Sequence, residues 1–138
     1  MLTTQRAAGF TLVELITVTA VAGVLSAVAL PRMADFGSAA RLAKIESARG
    51  AVLESARDYH LKWVLEGAPA AGVIDGVEMG AAGYPNQAGI LVAAGVADSY
   101  DTRVAGIIAT DPQHPDCSLS YAPATGSAVL NAVDGKGC

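Results

Sequence analysis

Residues 10–30, FTLVELITVTAVAGVLSAVAL, form an apolar run of 21 residues in which Glu14 is the sole charge. As a helix such a run is roughly 31 Å long, enough to cross the hydrocarbon core of a bilayer. It is apolar on every face, so it needs lipid or protein on all sides. It also accounts for a hydrophobic share of 52% and a mean hydropathy of +0.41, both high for a soluble domain. The remaining length, in a chain of 138 residues, leaves room for one further domain.

The segment before the run, MLTTQRAAG, is short and polar with one positive charge, Arg6. An ordinary secretory signal places its small-residue cleavage site after the apolar stretch. Here the small residue, Gly9, precedes it. Cleavage at Gly9 removes the polar leader and keeps the helix, and the leader's positive charge orients the rest outward. Pro31 follows the run directly, and Gly23 and Ser26 loosen the stretch upstream. Helical spacing nonetheless resumes. Leu42, Ile45, Ala48, Val52, Ala56, Tyr59 and Trp63 recur every three or four residues, with charges on the other faces. Residues 10–66 therefore read as one long helix with a weak point around Gly23–Pro31. Its first half is apolar and its second amphipathic, and Gly67 and Pro69 stop it.

The remainder, 67–138, reads as a β-rich head. Residues 73–79 contain a period-2 stretch and predict a strand, GYPN (83–86) a turn, and 87–95 a short helix ending at Gly95. Residues 103–109, 117–122 and 128–133 predict short strands, separated by the turn-rich DPQHPD and PATG. The expected class is α+β: a long N-terminal helix packed on a small antiparallel sheet. Residues 32–66 carry six basic and five acidic groups, and residues 67–138 two basic and seven acidic. A head at net −5 is a solvated, repulsive surface and argues against direct nucleic-acid binding. Cys117 and Cys138 both lie in the half that an anchor would export, where a disulfide is the natural reading. Two free buried thiols, or a mobile terminal one, are the alternatives.

These features together resemble a type IV prepilin: a short basic leader, Gly9-Phe10, Glu14 four residues on, the apolar run to Leu30, Pro31, an amphipathic continuation and a C-terminal cysteine pair. The resemblance rests on GFTLVELITVTAVAGVLSAVALP, residues 9–31. The stretches RLAKIESARGAVLESA (41–56), GYP (83–85) and CSLSYAP (117–123) are similar to the mannose-sensitive haemagglutinin type of pilin. The resemblance implies a pilin-like fold in four parts: leader 1–9, filament-core helix 10–30, amphipathic continuation 31–66 and head 67–138. It implies cutting between Gly9 and Phe10 by a prepilin peptidase and N-methylation of Phe10. Other implied partners are the inner-membrane pilus assembly machinery, the membrane before assembly, and further copies in a helical filament on the cell surface.

The resemblance also supplies a reason for Glu14. A carboxylate near the centre of a membrane helix costs about 3 kcal/mol, less near an end. Cleavage creates a partner charge, the amine of Phe10, and the family places this contact between neighbouring subunits. The bland alternative is a solitary glutamate snorkelling to the headgroups. Pro31 and Gly23 are likewise either a tolerated kink or a site where the helix melts on assembly.

Catalytic chemistry finds little support. No nucleophile elbow, P-loop, zinc-protease motif or dinucleotide fingerprint is present. His60 and His114 lack partners at ligand spacing on a helix, and a calcium site at Asp111–Asp116 is weaker than solvated turn residues. Tyr59 and Trp63 read as core rather than as an electron path. No cofactor, metal or catalytic residue is expected. Besides a pilus subunit, the sequence admits a type II secretion pseudopilin, or an anchored periplasmic binding module that never polymerises.

Overall fold

The computed structural model describes residues 10–68, 72–132 and 135–138, with the side chains of 31–35 excepted. Gly9 and Arg6 therefore lie outside the described residues, as does the side chain of Pro31. The chain divides into two compact units, one ending at Gly37 and the other spanning Ser38–Cys138. Helix α1, Leu12–Leu65, supplies most of the first unit and the spine of the second. Its backbone is α-helical through both Gly23 and Pro31.

The C-terminal end of α1 is closed by a Schellman motif. Gly67 takes φ +85°, its N–H bonds to Val64 O at 3.2 Å, and Ala68 N–H reaches back to Trp63 O at 2.9 Å. A left-handed residue there satisfies carbonyls that the last turn leaves without partners. The chain continues into a hairpin of β1 (Gly72–Ile74) and β2 (Val77–Met79). The single strand expected over 73–79 is thus two, paired antiparallel with Ile74 opposite Val77. Asp75 and Gly76 both take positive φ, 49° and 81°. That is the two-residue turn whose twist matches a hairpin, and Asp-Gly is its favoured sequence.

Helix α2, Gln87–Ala93, starts at Asn86, whose Oδ1 accepts Gly89 N–H at 2.7 Å. It ends on a second Schellman motif at Gly95, with Val96 N–H bonded to Leu91 O at 3.1 Å. Strands β3 (Ile107–Ala109), β4 (Ser118–Ala122) and β5 (Ser127–Leu130) form an antiparallel sheet in that order. Residues 103–106, expected to begin a strand, are a loop that turns at Gly106 with φ +78°. The α+β class is as expected, with strands shorter than the sequence suggested.

The core forms where the amphipathic stripe of α1 meets this sheet. Ile45, Ala48, Val52 and Ala56 are buried against Ile90, Val96, Ile108, Leu119 and Tyr121. Alanines at two of the four helix positions let the sheet approach closely. Tyr59 and Trp63 continue the stripe against a second cluster of Ile74, Val77 and Met79. The charged faces of α1 are not merely solvated. Arg41 Nε donates to Cys138 O at 2.5 Å, Arg49 Nε to Ala128 O at 3.0 Å, and Lys44 Nζ to Ser99 O and Thr110 O at 2.8 and 2.9 Å. Lys44 also lies 4.6 Å from the centre of the Tyr100 ring, and the Tyr100 hydroxyl donates to Lys44 O at 3.0 Å. Three cations of α1 thus bind backbone carbonyls of the head, and charge-assisted bonds of this kind are the stronger ones.

Candidate functional site

The start of α1 carries the candidate site, and its geometry begins with Thr11. The Thr11 hydroxyl accepts the Glu14 N–H at 3.2 Å, while Glu14 Oε2 accepts both the Thr11 N–H and the Thr11 hydroxyl at 2.8 Å. This is a reciprocal capping box, which satisfies two of the amides that a helix start leaves without partners. Glu14 therefore has hydrogen-bond partners in its own chain, both on Thr11. Only Oε2 is used in these bonds, so Oε1 keeps its acceptor capacity. Sequence reasoning missed Thr11 as part of the site. The signal was present as T-x-x-E directly ahead of an apolar run.

Phe10 lies before the helix, which begins at Leu12, and is 88% exposed. Behind Glu14, Leu12–Leu30 has a mean hydropathy of 2.1 and no buried residues, and is long and apolar enough to cross a membrane. Its remaining hydroxyls are all turned onto the helix backbone. Thr17 Oγ1 donates to Glu14 O at 2.9 Å, Thr19 Oγ1 to Leu15 O at 2.9 Å and Ser26 Oγ to Ala22 O at 2.7 Å. Back-bonding lets a polar side chain sit in lipid or in a dry bundle without an unmet donor. A Cβ at Gly23 would meet nothing within 4 Å, so this chain's own packing does not require glycine there.

The other sequence candidates lie in the head. Cys117 and Cys138 are joined in a disulfide with Cα atoms 4.6 Å apart, both buried. His60 donates from Nδ1 to Gly83 O at 2.9 Å and stacks 4.2 Å from Tyr84 and 5.5 Å from Trp63. Gly83 is needed there, since a Cβ would come within 2.5 Å of the Trp63 ring. This histidine is a packed structural group. His114 pairs with Asp111 at 2.8 Å, and Asp111 Oδ1 also accepts the backbone N–H groups of Gln113 and His114. The bond from His114 is the main reason that the Asp111 carboxyl titrates below its usual range. Asp111 is thus spent on closing its own turn. Among the described residues no three His, Cys, Asp or Glu side chains gather as metal ligands.

Residues 4–30 match a family model described as the prokaryotic N-terminal methylation motif. The match covers the capped helix start, the apolar run and part of the segment before them, and it is a prepilin-like signature. No curated protein and no solved structure matches the chain.

Proposed function

We propose that this chain is the structural subunit of a type IV pilus, held in the inner membrane by residues 10–30 until it polymerises through that helix. The observation that carries the reading is the methylation motif over residues 4–30, set on a helix whose apolar span Leu12–Leu30 is left unburied by the described residues. Exposed apolar area of that extent needs lipid or other subunits around it. Burying it among neighbouring helices yields roughly 25 cal/mol per Å².

In this reading a prepilin peptidase cuts between Gly9 and Phe10, and Phe10 is N-methylated. Glu14 then meets the new amine of a neighbouring subunit through Oε1 while Thr11 holds Oε2. The helix eases around Gly23 and Pro31 as it packs. The subunit serves adhesion, aggregation or motility at the cell surface. The sequence stretches at 41–56, 83–85 and 117–123 favour the mannose-sensitive haemagglutinin type. The disulfide-closed head supports a pilus exposed outside the cell over a periplasmic pseudopilus.

The test is Glu14→Ala in the full chain. The expected result is a stable, membrane-held subunit and loss of surface filaments. Normal filament yield from that variant would overturn the assembly role of Glu14.

A further inference from the structure

The head contains a half-enclosed cavity of about 140 Å³ between α2 and the loop at 102–106. Ile90, Leu91, Val104 and Ile107 form its apolar wall, while Ala88 and Ala105 leave the space unfilled. Tyr121 lines it as well, but its hydroxyl is already committed, donating to Pro85 O at 3.0 Å. The rim is fixed. Arg103 grips Asp101 through two bonds of 2.8 and 2.7 Å, which anchors one end of the loop. At the other end a Cβ on Gly106 would come within 2.9 Å of Gln87 Nε2. A dry cavity of about 150 Å³ accepts one benzene ring, so this one takes a single phenyl group and little more.

The chain displays one such group. Phe36 is 71% exposed, and apart from Phe10 it is the sole exposed aromatic ring among the described residues. It lies six residues beyond the apolar span, which ends at Leu30. Charge agrees with the pairing. Residues 67–138, which supply the cavity, carry net −5, whereas the stretch 32–66 that holds Phe36 carries net +1, with Arg32 four positions before the ring and Asp35 beside it. Opposite fields of this kind steer two surfaces together.

We propose that the phenyl ring of Phe36 from a second copy of this chain seats in the cavity between α2 and the 102–106 loop. The ring and the cavity are different parts of one molecule, so each pairing leaves a free ring at one end and a free cavity at the other. A heterologous contact of that type propagates into an open filament unless its rotation happens to close a ring. The inference rests on the filament reading and adds a contact that the apolar helices alone do not specify.

The experiment replaces Phe36 in the full chain with the photoreactive analogue p-benzoylphenylalanine and irradiates surface filaments on intact cells. The expected product is a covalent ladder of subunits, with the adduct on residues 87–108 of another copy. Filaments that form but couple elsewhere, or only within one chain, overturn the proposal and leave the filament reading standing. Absence of the unaltered chain from any filament overturns both. Phe36→Ala and Ala105→Leu give an independent readout that decides the matter if the analogue blocks assembly. Each should lower filament yield at least about tenfold, the effect of losing a buried anchor, with the head's urea midpoint unchanged for Phe36→Ala. Wild-type yield from both variants overturns the contact.

Discussion

Thr11 and Lys44 do the most per side chain, and neither owes its role to hydropathy. Thr11 fixes where α1 begins and orients the carboxylate of Glu14. Thr11→Val keeps the shape and removes the cap, so the first turn should lose about 1 kcal/mol while Thr11→Ser retains it. Hydrogen exchange of the Glu14 amide in micelles measures this, with roughly fivefold faster exchange expected for the valine variant only. Equal exchange in all three chains would remove the cap from the account. Lys44 bridges two carbonyls of different loops through one ammonium. Lys44→Met should destabilise the head by about 2 kcal/mol, since both carbonyls lose a charged donor. Urea unfolding of the full chain in detergent would show it as a lower midpoint at unchanged slope.

At the scale of elements, what the sequence disclosed follows the kind of signal each element uses. The stripe from Leu42 to Trp63 was legible because burial at helical spacing repeats over six turns, and Ile45, Val52 and Ala56 are all fully buried as it implies. The β1–β2 hairpin was misread as one strand because alternation at Val73, Val77 and Met79 continues across the turn. The Asp75-Gly76 pair carried the information, through backbone conformation rather than hydrophobicity. Gly76→Ala should therefore cost about 1 kcal/mol at its positive φ. The cost should be local, seen as faster exchange at the hairpin amides with the β3–β5 sheet unaffected. The strand expected over 103–109 failed for another reason. Its first half gives up pairing to let Arg103 fold back on Asp101, a contact between residues two apart that periodicity does not register. In the candidate site the order was reversed. Phe10 and Glu14 stood out as sequence, whereas Thr11 needed the structure to show both directions of the box.

For the whole molecule, the span Leu12–Leu30 is left unburied by the described residues, while the head is closed by its own disulfide and by carbonyl clamps from α1. The acidic head also sets its response to pH. The guanidinium of Arg103 holds the Asp101 carboxyl below its usual range, and the bond from His114 does the same for Asp111. A depressed carboxylate contributes stability that is complete above its unfolded pKa of about 4 and is lost as pH falls through the folded value. The thermal midpoint of the head should therefore fall on acidification below about pH 4. A chain with Asp101→Asn and Asp111→Asn should start lower and show a shallower decline. Parallel declines in the two chains would mean that other groups govern acid unfolding. The central claim, that the chain is cut at its capped helix start and assembled through that helix, is tested most directly by one measurement. It is mass analysis of the subunit recovered from sheared surface filaments. The account predicts a chain that begins at N-methylated Phe10 with Cys117 and Cys138 joined. Filaments that lack this chain, or that contain it with residues 1–9 still attached, would contradict it.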